Sequence, residues 1–276
     1  MKGFAATSKG IEEAAALEIR ELTGADCKVE ECSVVFELND FEELCLLCYK
    51  CQSVDRVLYL IEDFEFEDLF GKLESIIEKT NFEGWIEKCK RFKVDCTRIG
   101  THNFNSSDVE KKLIGLIKKY KNKGFDAKDY EIIFSACIVN NKCYFGVDFA
   151  GFELNKRDYK IFLHSNSLRG TIAYALVRES GFEKDEKMLD PFSRDGVITI
   201  EAALYATNFS LNFYKKEKFA FVRFGLIDHE KFFEAVDKKA NKKPKAELYS
   251  FDHLFKYVDY SRKNAKIAGV GKHINF

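Results

Sequence analysis

Along this chain the spacing of apolar positions switches repeatedly between every second residue and every third or fourth, and that alternation predicts its elements. Residues 2–7 are a short strand candidate, and residues 10–22 place Ile11, Ala15, Ile19 and Leu22 on one helical face. A β segment over 28–38 follows. Phe41, Leu44, Cys45 and Cys48 then mark a second helical face, and residues 54–61 are rich in β-branched and apolar side chains, as strands are. This β-α-β-α-β order predicts a small α+β unit over residues 1–65. A helix over 66–80, with Leu69, Leu73, Ile76 and Ile77, opens the next unit, and Arg91 to Cys96 alternates as a strand. Ser107-x-x-Glu110 has the pattern of a capping box for a helix carrying Val109, Leu113, Leu116, Ile117 and Tyr120 to a stop near Gly124. Two apolar runs, 132–139 and 143–149, flank Asn140-Asn141 as a hairpin and close a second unit at about residue 151.

Residues 152–170 are polar and act as a linker. The next helix takes Leu168, Ile172, Ala175 and Leu176 as its apolar face, with Gly181 as C-cap. Met188-Leu189 then leads through an Asp190-Pro191 corner into a loop ending at Gly196, and Val197, Ile200 and Leu204 recur at helical spacing. A strand-loop-helix unit of this kind is where open α/β sheets hold ligands, because the loop lies beyond the carboxyl end of a strand and the helix start offers unpaired N–H groups. A second strand over 248–251 ends at Asp252. A carboxylate there can serve as a helix cap.

Composition narrows the class. The chain has 276 residues, 46% apolar, enough for substantial cores in two or three domains. With no long apolar run and no signal-peptide core, it is expected in the cytoplasm, where nine irregularly spaced cysteines remain reduced. Cys45, Cys48 and Cys51 are spaced like metal ligands, but no fourth ligand follows, so no metal is expected. Net charge is −1, unevenly distributed: residues 1–84 hold 8 basic and 20 acidic side chains, residues 85–128 hold 12 and 5. A basic segment beside an acidic one attracts a phosphate backbone locally, although its lysines also fit the solvated side of one helix.

The loop Arg98-x-Gly100-x-His102-x-Phe104-x-Ser106, within the order of elements from Phe92 to Phe149, resembles the THUMP domain, an RNA-binding module of tRNA-modifying enzymes. Arg157-x-Tyr159, Leu168-Arg169, Leu189-Asp190-Pro191-Phe192 and Ile200-Glu201-Ala202-Ala203-Leu204 resemble the entry to the Rossmann-type methyltransferase domain that accompanies THUMP in one group of RNA methylases. Asp252 and the helix from Tyr260 to Val270 match its second strand and the helix after it. The resemblance implies α+β N-terminal ferredoxin-like and THUMP domains (1–65, 66–151), a linker (152–170), and an incomplete α/β Rossmann-type methyltransferase domain (171–276). It implies S-adenosylmethionine held by Asp190, Phe192, Ser193, Gly196, Glu201 and Asp252. RNA, tRNA first, is expected at Arg91, Arg98, His102, Asn103, Asn105, Ser106, Lys111 and Lys112, where loop polar groups and a helix N-terminus can receive phosphate. Guanine N2 methylation is the implied reaction.

Two departures bear on activity. The family loop Cys-Gly-Ser-Gly reads Ser193-Arg194-Asp195-Gly196 here, which argues against close cofactor approach. The family's catalytic Asn-Pro-Pro-aromatic segment has no counterpart, since the two prolines are Pro191 and Pro244, so no catalytic residue is assigned. These departures predict either a C-terminal half supplied by a second polypeptide or homodimer, pairing at the open edge beside Leu189, or an RNA-binding protein with a vestigial methylase domain.

Overall fold

The computed structural model describes residues 1–79, 84–85 and 89–276. Its larger sheet has eight strands: β1 (Lys2–Thr7), β2 (Cys27–Glu30), β3 (Ser33–Glu37), β4 (Val54–Glu65), β5 (Arg91–Ile99), β6 (Gly124–Phe125), β7 (Ile132–Val139) and β8 (Lys142–Asp148). Their order is β2-β3-β1-β4-β8-β7-β5-β6. The pairs are antiparallel except β5 with β6 and β7. Helices α1 (Glu12–Thr23), α2 (Phe41–Lys50), α3 (Leu69–Lys79) and α4 (Ser106–Lys121) pack on one face through Ile19, Leu44, Leu73 and Leu113, all fully buried.

The two N-terminal units predicted as separate therefore share one sheet and one core. The seam is β4. Its predicted end is Ile61, but the acids that follow continue the ladder, with Glu62 opposite Phe145 and Asp63 opposite Tyr144. Lys142 sits 3.4 Å from Asp63, which makes an acidic strand end tolerable. The β segment expected over 28–38 is a hairpin, turned at Cys32 with φ +55°. Its tip meets the tip of the β7–β8 hairpin: Glu30 accepts hydrogen bonds from Lys142 (2.7 Å) and Tyr144 (2.5 Å), and Asn140 donates to Glu31 (2.9 Å). Strands far apart in sheet order touch here, so the sheet is strongly curled.

Other local differences are small. The helix expected to reach Thr80 is described to Lys79, and position 80 lies outside the described residues. The capping box of α4 lies two residues earlier than predicted: Asn105 and Asp108 form the reciprocal pair, while Glu110 accepts the Cys96 N–H. In α5 (Gly170–Glu179) the buried side chains are Thr171, Ala173, Tyr174, Ala175 and Val177, and the predicted core residue Leu176 is 47% exposed. Cys45, Cys48 and Cys51 are buried, and burial pushes each thiol well up, as for small hydrophobes.

The second sheet is parallel, in the order β11-β10-β9, from β9 (Lys187–Asp190), β10 (Glu247–Ser250) and β11 (Ile274–Asn275). Among the described residues no strand lies on the outer side of β9, and Leu189 is 56% exposed there. Helices α5, α6 (Val197–Thr207) and α8 (Phe255–Ile267) accompany it, with α7 (His229–Asp237) in the segment between α6 and β10. That segment reaches back: Phe219, Phe221 and Phe233 belong to the core of the larger sheet, and Phe233 packs on Tyr49 with centroids 4.9 Å apart. Ser210 and Asn212 donate to the Tyr49 and Cys48 carbonyls, satisfying the open C-terminal end of α2.

Candidate cofactor corner and RNA face

Beyond β9 the chain is held by its neighbour strand. Asp190 accepts the Phe251 N–H through its carbonyl (2.8 Å), and Ser193 donates to the Phe251 carbonyl (2.8 Å). Asp252, following β10, has a side chain only 3% exposed, and it accepts the N–H groups of Arg194 (3.0 Å) and Leu254 (2.9 Å). The two loops thus form one corner. Gly196 caps α6 with φ +80°, and a Cβ there would lie 2.1 Å from Ser261 Oγ, so only glycine fits. No side chain caps the first turn of α6, and among the described residues the buried Ser193 Oγ and Thr199 Oγ1 have no hydrogen-bond partner. The corner offers donors and acceptors that the protein itself leaves open.

The two residues that replace the expected small side chains are both turned to the linker. Asp195 is 2% exposed; its carboxylate accepts the His164 N–H (3.3 Å) and its carbonyl accepts from Asn264 (2.9 Å). Arg194 donates to the Asn166 carbonyl (3.3 Å). Asn264 also holds residues 161–162 through three further bonds. The linker is pinned beside the corner, and the Asp195 carboxylate is engaged there.

Glu201 requires a correction. It is fully buried, and its carboxylate accepts from Arg157 (2.8 and 3.2 Å), Tyr159 (2.6 Å) and Gln52 (2.6 Å). It joins α6 to the linker and to the α2–β4 turn, with no surface left for a cofactor. Phe192, by contrast, is 70% exposed, and Asp190 is half-buried with its carboxyl raised by burial and by Asp252, against Phe192 N–H and Arg194.

On the larger sheet, the expected RNA loop is braced from within. Arg98 bonds His102 (3.0 Å), His102 bonds the Asn140 carbonyl (2.6 Å), and the His102 ring stacks on Phe104 at 4.9 Å. Asn105 caps α4 and Ser106 is its first residue. Arg91 is paired with Asp129 (2.6 Å) and Lys112 with Glu74 (3.1 Å). Asn103 and Lys111 are exposed. The sequence reading missed a cleft of about 670 Å³ around the corner from this loop, where Lys93, Lys156, Lys215 and Lys218 stand beside Arg56 and Asp95. The signal was present: alternation in β5 puts Lys93 and Asp95 opposite Phe92 and Val94. A larger cleft, about 880 Å³, lies past the far end of α6 between Thr207, Phe233 and Val270, away from the corner.

Residues 65–148 match the THUMP domain family, and residues 157–276 match the family described as RMKL-like, methyltransferase domain. Over these residues the chain carries a THUMP domain followed by an RMKL-like methyltransferase domain. The methyltransferase match starts at Arg157, so the buried Arg157 and Tyr159 of the linker belong to it. Along its whole length the chain is 26% identical to a tRNA (guanine(6)-N2)-methyltransferase of Methanocaldococcus jannaschii, spanning 75% of that protein. It is 27% identical to the ribosomal RNA large subunit methyltransferase K/L of Aliivibrio fischeri, spanning 40% of it. The structure of SMU.472 complexed with SAH shares the fold, with TM-score 0.80 and 22% identity over 99% of this chain and 74% of that one. Each alignment runs through both domains within a single relative, which does not support a methylase divided between two polypeptides. No helix among the described residues is long and apolar enough to cross a membrane.

Proposed function

We propose that this THUMP methyltransferase-domain protein transfers a methyl group from S-adenosylmethionine to an RNA base, with tRNA as substrate and guanine N2 as the acceptor. The observation that carries the reading is the corner itself. The residues present fit the cofactor: Ser193 Oγ lacks a partner, α6 begins uncapped at Gly196, and Asp252 stands at the end of the neighbouring strand. Asp252 would accept from ribose hydroxyls, Asp190 would face the ammonium group, and Phe192 would supply an apolar wall. When bound, the cofactor supplies an electrophilic sulfonium methyl.

The protein's task is then positioning. An exocyclic amine reacts when its lone pair is aimed at the methyl carbon, so the RNA must be held at a fixed distance from the corner. The buried Arg157–Glu201–Gln52 contacts and the aromatic packing of Phe219, Phe221 and Phe233 supply a rigid connection between the two domains. The RNA is taken by Asn103 and Lys111 at the exposed edge of the loop, with Arg98, His102, Asn105 and Ser106 shaping it and Arg91 and Lys112 releasing their carboxylate partners to phosphate. The names of the two relatives, a tRNA and an rRNA methylase, support an RNA substrate.

A second reading, RNA binding without methyl transfer, is favoured by one specific observation: the corner loop carries the charged side chains of Arg194 and Asp195, both bonded to the linker. Incubation with methyl-labelled S-adenosylmethionine and tRNA separates the two. The first reading predicts label in the RNA, recovered as N2-methylguanosine after digestion. Retention of tRNA on the protein with no label transferred would favour the second.

A further inference from the structure

Arg194 is costlier than its backbone role requires. Its φ of +53° lies in the left-handed region, which disfavours every residue but glycine. The N–H it gives to Asp252 would be given equally well by glycine. What only arginine adds is a guanidinium with five donors, and the protein occupies it with one long bond, 3.3 Å to the Asn166 carbonyl. Among the described residues no carboxylate lies within ion-pair distance of it. Asp195 is bound to the His164 N–H, and Asp252 is bound to two backbone N–H groups. Lys160, a cation in the linker, is directed to the Leu168 carbonyl. The corner therefore presents one exposed cation in the loop and one half-buried carboxylate, Asp190, four residues before it at the strand end. A zwitterion fits that pair, its carboxylate on the cation and its ammonium on the acid.

We propose that Arg194 is a ligand-binding residue that takes the α-carboxylate of an amino-acid group carried on an adenosyl sulfur, opposite Asp190. This rests on the cofactor reading of the corner and goes beyond it by assigning the partner of the ligand's carboxylate. A guanidinium holds a carboxylate through two parallel N–H bonds, which a lysine cannot reproduce.

The test uses two probes that share the adenosine and the thioether but differ at the amino-acid end: S-adenosylhomocysteine has it and 5′-methylthioadenosine lacks it. Calorimetric titration of the full chain is compared for wild type, Arg194→Gly and Arg194→Lys. In Arg194→Gly the affinity for S-adenosylhomocysteine falls by about tenfold or more, while that for 5′-methylthioadenosine stays within about twofold. Arg194→Lys recovers only part of the loss. Thermal unfolding of Arg194→Gly is unchanged or shifted upward, because glycine relieves the left-handed strain, so the loss cannot be assigned to misfolding. Equal weakening of both probes would make Arg194 a loop-shaping residue and overturn the proposal. Unchanged binding of S-adenosylhomocysteine with a lower affinity for tRNA would move Arg194 to the RNA and overturn it as well. Wild-type protein that binds neither probe removes the cofactor reading itself, an outcome separate from a wild type that binds both without regard to Arg194.

Discussion

Glu201 shows how a residue legible by pattern can be assigned the wrong partner. One turn into a helix that follows a ligand-binding loop, its position alone is compatible with a cofactor contact. Its direction is set by Gln52, 149 positions earlier, and by Arg157, both of which bond its carboxylate in a site closed to solvent. No local signal records such a contact. Pattern alone placed Asp252 at the end of its strand, but not its bond to the Arg194 N–H, 58 positions earlier. Removing one partner of a buried pair strands the other charge, which costs about 3–5 kcal/mol, whereas replacing both by apolar side chains of similar volume is close to neutral. Arg157→Met is thus expected to lower stability by that amount in urea unfolding, and Arg157→Met with Glu201→Leu to recover most of it.

At the scale of elements, apolar periodicity located most helices and strands, though not α7, β6 or β11, and the errors of placement fall where two solutions satisfied the same local rule. Ser107-x-x-Glu110 and Asn105-x-x-Asp108 both have a capping-box spacing. The second is used because Glu110 is needed at the Cys96 N–H, a contact from helix to strand. Replacing Asn105 by alanine is expected to cost about 1 kcal/mol, seen as a lower denaturation midpoint, and to loosen the His102 loop that precedes it. Leu176 was predicted buried because it continues a helical stripe, but Tyr174 and Val177 turn α5 so that its core face lies to one side. The corner loop was read as unfavourable because its side chains are large and charged. Packing resolves this: Asp195 holds the linker, and Arg194 tolerates a left-handed backbone whose N–H is fixed by Asp252.

For the whole molecule, the order of elements was legible and their joining was not. The units over 1–65 and 66–151 are continuous through β4, and the methyltransferase-type unit sends Phe219, Phe221 and Phe233 into the core of the first. Curling of the large sheet depends on charge. Burial works to raise the Glu30 carboxyl, but hydrogen bonds from Lys142, Lys28 and Tyr144 outweigh it and hold it at about 2, from an ordinary value of 4.5. A carboxyl held down in the folded state stabilises it above its unfolded value, and that contribution is lost as pH falls from about 4.5 toward about 2. Stability measured across this window is expected to fall with acidification, and Glu30→Gln to flatten that part of the profile while lowering stability at neutral pH. The central claim, that the paired loops after β9 and β10 form a cofactor site, is tested most directly by calorimetric titration of S-adenosylmethionine into wild-type protein and Asp252→Ala. The account predicts saturable binding at one site per chain, weakened about tenfold or more when the carboxylate is removed. Absence of saturable binding by the wild type, or affinity indifferent to Asp252, would contradict it.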